Sequence, residues 1–303
     1  PLKVKERQIG VAEVINRVDG QPFTEDDLEL FSTFCRNVAL AIENARVHRL
    51  ELEKQRIEQQ LEAAKVIQQS FMPEHLPESP EGLFQVAAGS IAAVSVGGDF
   101  YDVLEPIPQT LGIAIGDVSG KGIPAALFMA RMVSDFRMRA MGEDDPARLL
   151  GQLNEVLCQR SRRGMFVTFF YGILHLRSGE FLFADAGHLP FLRISPDGKT
   201  EWISSSRGVP LGVSPNYPFQ SHTLKLTPGD TLTLITDGIV EARNSEGEMY
   251  SMERVEQCLS QLQPTAPDTL NHLMEDVHQF TGKAPQHDDL TALVLRWQGE
   301  GEG

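Results

Sequence analysis

Apolar residues in the first seventy positions recur every three or four residues, which is the spacing of an amphipathic helix. From Leu28 this stripe continues through Phe31 to Phe71, and no Gly or Pro interrupts it. Thr24, followed by three acidic residues, is a typical N-cap for this helix. A helix of this length with charged flanks predicts a dimeric coiled coil, and a single helix lying on a folded domain is the alternative.

Ahead of this helix, the apolar run from Ile9 to Ile15 predicts a strand, and Asp19-Gly20 predicts a turn. The segments GVAEVINR, PFTEDDLELF and VALAIENAR resemble the last strand and final helix of a GAF sensory domain. The resemblance implies that residues 1–48 are the C-terminal part of a truncated GAF domain, and residues 49–80 would form a coiled-coil signalling linker, called the linker below. An unrelated helical extension is the alternative.

Beyond Pro73 the pattern changes to short apolar runs separated by turns, with two pairs of helical stretches between them. The order of strands, helices, strands, helices and a final strand predicts an α+β fold with mostly antiparallel pairing. The predicted strands are 84–88, 100–104, 111–117, 166–176, 180–185, 191–194, 202–203, 221–226, 231–236 and 290–297, and the predicted helices are 125–141, 146–160, 252–262 and 267–280.

Aspartates stand at the ends of several predicted strands. Asp117 and Asp237 each close an apolar run, and the pair Asp288-Asp289 opens the last one. An ionised carboxylate at the end of a buried strand is costly without a cation or a close set of hydrogen bonds. Carboxylate and carbonyl oxygens suit Mg²⁺ or Mn²⁺, and no Cys or paired His nearby indicates zinc.

The glycine-rich stretch from Gly116 to Gly122 superficially resembles a Walker phosphate-binding loop. That loop requires four residues between its first two glycines and then Lys followed by Ser or Thr. Here three residues separate Gly116 from Gly120, and Gly122 replaces the hydroxyl residue. The sequence therefore disfavours a nucleotide site at this position.

Five motifs in fixed order carry a family resemblance. GGDFYD, GDVSGKGIPAAL, AGHLP, TDGIVEARN and HDDLT resemble the metal-dependent PPM protein phosphatases, in particular their SpoIIE-type, RsbU-like branch. The resemblance covers residues 82 to 297 and implies a phosphatase domain over 81–298. It implies an αββα sandwich of two antiparallel sheets flanked by helices, with two or more Mn²⁺ or Mg²⁺ ions at one sheet edge and no covalent phosphoenzyme.

The resemblance also implies roles for individual residues. Asp117 would bridge two ions, and the Val118 carbonyl would bind one of them. Asp237 and Asp288 would bind the other, and Asp99 would act mainly through coordinated water, so that Asp117 and Asp99 are the expected catalytic residues.

Four further residues are expected to support these ligands without binding metal themselves. Asp288 and Asp289 are adjacent, and an exchange of their roles stays open. His188 is either a proton donor or a residue that orders its loop. The supporting residues are Asp102, Glu241, Asp289 and His188.

The expected substrate is phosphoserine or phosphothreonine on a regulatory protein, by resemblance a STAS-type anti-sigma-factor antagonist. The segment from Ile91 to Val96 is apolar where relatives commonly carry Pro and a polar residue, which leaves substrate contact on that side open. A non-catalytic metal-binding interaction module and a hydrolase of small phosphoesters are the alternatives. Aspartate at all four expected carboxylate positions favours the enzyme.

Composition restricts the partners and the compartment. The chain has 303 residues, of which 41% are hydrophobic, and a net charge of −15, which disfavours nucleic acid and anionic membranes as partners. No apolar run is long enough to span a bilayer. The three cysteines are far apart and are expected to be reduced, as in a cytoplasmic protein. The coiled coil expected in the linker predicts that the chain forms a homodimer.

Overall fold

The computed structural model describes residues 1–79, 81–94, 96–160, 164–205 and 208–299. The chain divides into two compact units, Pro1–Ala63 and Ala64–Gly303. Within the described ranges, none of the helices combines the length and hydropathy that crossing a bilayer demands.

The first unit contains a small hairpin and most of one long helix. Strands β1 (Leu2–Val4) and β2 (Arg7–Gly10) pair antiparallel, and helix α1 (Glu25–Gln69) continues into the second unit. At its start the Thr24 hydroxyl accepts a hydrogen bond from the Asp27 amide (3.3 Å), and the Asp27 carboxylate accepts one from the Thr24 amide (2.9 Å). This reciprocal pair is a capping box, which confirms Thr24 as the helix start.

The predicted strand from Ile9 to Ile15 is wrong beyond Gly10. The hairpin has only two strands, so the residues after Gly10 have no neighbouring strand to pair with. Val11 and Ile15 are 73% and 71% exposed. The long helix is confirmed, whereas the GAF assignment and the coiled coil stay predictions.

The second unit contains two five-stranded sheets, in which every pair of neighbouring strands is antiparallel. The strand orders are β10-β7-β6-β5-β4 and β3-β12-β11-β8-β9. The strands are β3 (Phe84–Ile91), β4 (Phe100–Leu104), β5 (Thr110–Val118), β6 (Val167–His175), β7 (Glu180–Ala186), β8 (Phe191–Ile194), β9 (Thr200–Ile203), β10 (His222–Lys225), β11 (Thr231–Ile235) and β12 (Leu290–Trp297). The helices are α2 (Ile123–Ala140), α3 (Pro146–Arg160), α4 (Asp237–Glu241), α5 (Ser251–Leu259) and α6 (Ala266–Thr281).

Three layers of apolar contacts hold this unit together. Helices α2 and α3 cover the first sheet, where Phe136 packs edge-on against Phe169 at 5.4 Å. Helices α5 and α6 cover the second sheet through residues such as Leu273. Between the sheets, the ring of Phe170 lies 5.3 Å from that of Phe191. The helix, sheet, sheet, helix order confirms the predicted α+β sandwich.

Strand β5 shows why the pattern of apolar residues was informative. One face of β5 contacts α2 through Ala114, and the other contacts the second sheet through Ile113 and Ile115. A strand that is buried on both faces has a continuous apolar run, as the residues before Asp117 do. Asp117 therefore lies at the end of a rigid, buried element.

Candidate active site

Strand ends from both sheets bring five aspartates together. In the first sheet, Asp117 is the penultimate residue of β5 and Asp99 directly precedes β4. In the second, Asp237 begins α4 after β11, and the pair Asp288-Asp289 precedes β12. Because both strand pairs are antiparallel, the end of one strand lies beside the start of the next. These five aspartates are called the acidic cluster below.

A hydrogen bond joins the two halves of the acidic cluster. The hydroxyl of Thr236, at the N-cap of α4, donates to Oδ2 of Asp99 at 2.6 Å. The Thr236 backbone amide donates to the Thr291 carbonyl (3.0 Å), which fixes the end of β11 against β12. Asp99 is 6% exposed and Thr236 is fully buried, so this contact is shielded from water.

The carboxylates of the acidic cluster repel one another. Burial, followed by the charge of Asp237, raises the pKa of Asp117 to about 6. Burial and the charge of Asp117 raise the pKa of Asp99 well above its usual range. Burial and the charge of Asp288 raise the pKa of Asp237. Desolvation and like charges both disfavour the ionised form, and the positive charge of a bound cation would offset both effects.

Two glycines in the motifs allow the strand ends to approach closely. A Cβ on Gly98 would lie 2.7 Å from the Val118 carbonyl oxygen and 3.1 Å from Oδ1 of Asp117. A Cβ on Gly238 would lie 1.9 Å from the Asp289 carbonyl oxygen. Any larger residue would displace the backbone at either position. Because Gly98 has no side chain, it leaves open one side of two oxygens that are expected to bind metal, the Val118 carbonyl oxygen and Oδ1 of Asp117.

The adjacent residues Asp288 and Asp289 have different surroundings. The Asp289 carboxylate accepts hydrogen bonds from the backbone amides of Ala93 and Gly98, both at 2.8 Å. Asp288 instead pairs with the Lys121 ammonium at 2.8 Å, and its side chain is 42% exposed. Asp289 therefore holds the backbone, whereas Asp288 has the more accessible carboxylate. The metal-binding role of Asp288 stays a prediction.

The remaining predicted residues lie around the acidic cluster in different ways. Asp102 is on the α2 side of β4 and binds Arg137 through both carboxylate oxygens (2.6 and 3.1 Å), so it anchors α2 to the sheet. The charge of Glu241, on α4, contributes to the raised pKa of Asp237.

His188 is buried beside the acidic cluster in a neutral state. Burial lowers its pKa to about 4. Its Nδ1 lies 3.2 Å from the Thr168 hydroxyl, and Thr168 pairs with Asp117 across the first sheet. The His188 backbone amide donates to the Asp185 carboxylate at 2.7 Å. These contacts and the low pKa favour the interpretation that His188 orders its loop, and its role stays a prediction.

Sequence reasoning missed two residues that contact the acidic cluster. The Lys121 ammonium donates to the Asp288 carboxylate and to the His287 carbonyl oxygen (2.5 Å). Thr236 was noted only as the last residue of a strand. Lys121 stands inside the GDVSGKG motif and Thr236 inside the TDG motif, so their positions were visible, but their partners were not.

The donor atoms fit a hard divalent cation. Within the described ranges, no three His, Cys, Asp or Glu side chains already converge as a finished ligand set. The candidate donors are all oxygens, and burial together with neighbouring carboxylates raises the pKa values of Asp99, Asp117 and Asp237. Mg²⁺ and Mn²⁺ prefer such oxygen donors. At Asp288, the Lys121 ammonium already bonds one carboxylate oxygen, Oδ2, and would compete with a metal ion for it.

Comparisons of the sequence place this site in a family. Residues 108–298 match the family model described as Stage II sporulation protein E (SpoIIE). The chain is 29% identical to phosphoserine phosphatase RsbU of Bacillus subtilis over 245 residues, which are 80% of this chain and 71% of RsbU. It is 28% identical to Protein IcfG of Synechocystis, covering 82% of this chain but 42% of IcfG.

Comparisons of the structure agree. The SiaA-PP2C domain of Pseudomonas aeruginosa superposes with a TM-score of 0.72 at 23% identity, covering 81% of this chain and 98% of that domain. A structure of the PP2C phosphatase domain and a regulatory fragment of SpoIIE from Bacillus subtilis gives a TM-score of 0.63 at 21% identity, covering 70% of this chain and 63% of that one. The chain belongs to the SpoIIE family of PPM-type protein phosphatases.

Proposed function

We propose that this chain hydrolyses phosphoserine or phosphothreonine on a regulatory protein, using water activated by Mn²⁺ or Mg²⁺. The observation that carries the proposal is the acidic cluster, in which strand ends of both sheets hold mutually repelling carboxylates beside an open carbonyl oxygen. The similarity to a phosphoserine phosphatase, RsbU, supports the substrate class. RsbX, a structural relative at 16% identity and a TM-score of 0.56, was solved in complex with magnesium, which supports the cofactor.

Each residue of the cluster has a defined task in this proposal. Asp117, Asp237, Asp288 and the Val118 carbonyl would hold the ions, and Asp99 would act through coordinated water. When bound, two divalent ions lower the pKa of a water molecule and neutralise phosphoryl oxygens. Thr236 keeps Asp99 oriented through its 2.6 Å hydrogen bond. Asp289 keeps Gly98 in place through the 2.8 Å bond from its amide.

Regulation through the linker is part of the proposal. We infer that an upstream GAF domain controls the phosphatase through a dimeric linker, and that the substrate is a STAS-type anti-sigma-factor antagonist. The exposed apolar side chains of α1 support pairing with a second copy, since Leu40, Val47 and Ile57 are each at least 50% exposed. A register change between paired helices is one way in which such a dimer transmits a signal.

The test is a phosphatase assay of the full chain with p-nitrophenyl phosphate and a phosphoserine peptide, with and without Mn²⁺. We expect turnover of both substrates only with Mn²⁺, and none for the Asp237→Asn variant. Asp197→Asn is the matched control, because Asp197 is an exposed turn residue. Mn²⁺ binding without turnover would favour the non-catalytic interaction module, and turnover of p-nitrophenyl phosphate alone would favour a small-phosphoester hydrolase.

A further inference from the structure

The last turn of α1 contacts the backbone that leads into the acidic cluster. Gln68 lies in this turn, within the unit Ala64–Gly303. Its Nε2 donates a hydrogen bond to the Gly97 carbonyl oxygen (2.7 Å), and its Oε1 accepts one from the Gly97 amide (3.2 Å). One half-buried side-chain amide therefore satisfies both polar backbone groups of Gly97, in the way that a neighbouring strand would.

The Asp289 carboxylate lies close against Gly97 and leaves no space for a side chain there. A Cβ at Gly97 would lie 1.8 Å from Oδ2 of Asp289. The next amide, of Gly98, donates to the same oxygen at 2.8 Å, and the Gly98 carbonyl accepts from the Val118 amide at 3.4 Å. The turn formed by Gly97 and Gly98 is thus held by Asp289 on one side and by Gln68 on the other.

The outer side of this turn faces a cavity. The volume of the cavity is about 390 Å³, and Lys65 and Gln69 of α1 line it together with Met72. Asp99 and Asp289 line the same cavity. Gly97 contributes no side chain to fill it, and the hydrogen bonds of Gln68 hold the backbone of Gly97 from this side.

We propose that Gln68 is a positioning residue for the candidate metal site. Its amide holds the turn of Gly97 and Gly98 so that Asp99 and the Val118 carbonyl keep the spacing that a divalent ion requires. The proposal rests on the proposed function for its chemistry, but its direct consequence is metal affinity. Preorganised ligands bind more tightly because the protein does not lose conformational freedom on binding.

Three variants separate this role from general packing. Gln68→Met keeps the length of the side chain and removes both hydrogen bonds. Gln68→Glu keeps the acceptor, removes the donor and places a negative charge against the Gly97 carbonyl. Gln69→Met is the matched control, because Gln69 lines the same cavity but is exposed and forms no side-chain hydrogen bond within the described ranges.

The measurement is a Mn²⁺ titration of the full chain followed by electron paramagnetic resonance, alongside turnover of p-nitrophenyl phosphate. We expect Gln68→Met to weaken Mn²⁺ binding about tenfold, the scale of one or two hydrogen bonds of this kind. Gln68→Glu should weaken it at least as much, and Gln69→Met should match the unsubstituted chain. Saturating Mn²⁺ should restore kcat, which a damaged fold would not allow.

Unchanged Mn²⁺ affinity in both Gln68 variants would overturn the proposal. If Gln68→Met does not unfold cooperatively in urea, that variant is not properly folded. The Mn²⁺ titration of Gln68→Glu then decides whether Gln68 positions the metal site. If the unsubstituted chain binds Mn²⁺ but releases no phosphate, the proposed function fails while the titration still tests Gln68. If the unsubstituted chain binds no Mn²⁺, both proposals are overturned.

Discussion

Replacing Asp117 with Asn should stabilise the metal-free protein while abolishing its activity. Asp117 lies among other carboxylates at the end of β5, and its ionised form is disfavoured there by burial and by Asp237. The Asp117→Asn variant keeps nearly the same shape and removes the charge. A metal ligand whose loss increases stability is not explained by packing, so this combination is specific to an unneutralised metal site.

The magnitude follows from the pKa of Asp117. A rise from 3.8 to about 6, at 1.36 kcal/mol per pKa unit, corresponds to about 3 kcal/mol of unfavourable free energy in the folded state above pH 7. The cost begins as the pH rises above 3.8, where the unfolded chain ionises while the folded carboxyl stays protonated, and it is complete above pH 6. The gain from Asp117→Asn should therefore be largest near pH 7.5 and absent below pH 3.8. Part of it is shared with Asp237, so about 3 kcal/mol is an upper value.

Urea denaturation in EDTA measures this effect. Both tryptophans, Trp202 and Trp297, lie in the unit Ala64–Gly303, so their fluorescence reports the unfolding of the unit that holds the site. Asp197→Asn is the control, because hydrogen bonds with Lys199 lower the pKa of Asp197 and removing its charge brings no such gain. Mn²⁺ should then stabilise the wild type and the control but not Asp117→Asn.

A lower free energy of unfolding for Asp117→Asn in EDTA at pH 7.5 would refute the reasoning. It would mean that hydrogen bonds to the ionised carboxylate outweigh its desolvation and repulsion. Mn²⁺-dependent turnover by a folded Asp117→Asn variant would separately refute the role of Asp117 as a ligand.

Three further changes test the site and its control. Exhaustive chelation should abolish turnover, and Mn²⁺ or Mg²⁺ should restore it better than Zn²⁺, because oxygen donors with retained waters suit an octahedral ion; full activity in protein shown by metal analysis to be metal-free would contradict this. Lys121→Met should tighten Mn²⁺ binding by up to about fivefold in calorimetric titration, since an exposed ion pair such as that with Asp288 contributes at most about 1 kcal/mol. Lys199→Met is its control, and an equal affinity would exclude competition between the ammonium and the metal. Replacing both Ile57 and Leu61 with Asp in one variant should weaken dimerisation, measured by analytical ultracentrifugation, and change kcat. A monomer with unaltered kinetics over a range of Mn²⁺ concentrations would show that the linker does not control catalysis.

Most of the fold could be predicted because its elements have unambiguous periods. The bounds of strand β12 were predicted correctly, and those of β5 to within one residue at each end. In a strand that is buried on both faces, the apolar run ends only where the strand ends. The strand predicted from Ile9 to Ile15 extends too far, because the apolar pattern continues after Gly10, whereas pairing with β1 ends there. The five-residue helix α4 was missed because it is too short to show a helical period.

The site could be located but not assembled from the sequence. Glycines next to Asp117 and Asp237 mark strand ends, and these signals are local. The partners of Lys121 and Thr236 lie 167 and 137 residues away, so no spacing rule connects them. The different surroundings of Asp288 and Asp289 likewise depend on which backbone amides the fold brings near.

The hydrogen bond between Thr236 and Asp99 has a consequence for the order of folding. It joins residues 137 positions apart, so the cluster can form only after both sheets have docked. Contacts this distant in sequence carry a large closure entropy and form late. A nascent chain that has not yet released β12 from the ribosome lacks part of the site and should be catalytically silent. We expect refolding after dilution from urea to regain tryptophan fluorescence no later than phosphatase activity, so that enzymatic activity is acquired in the last step of folding.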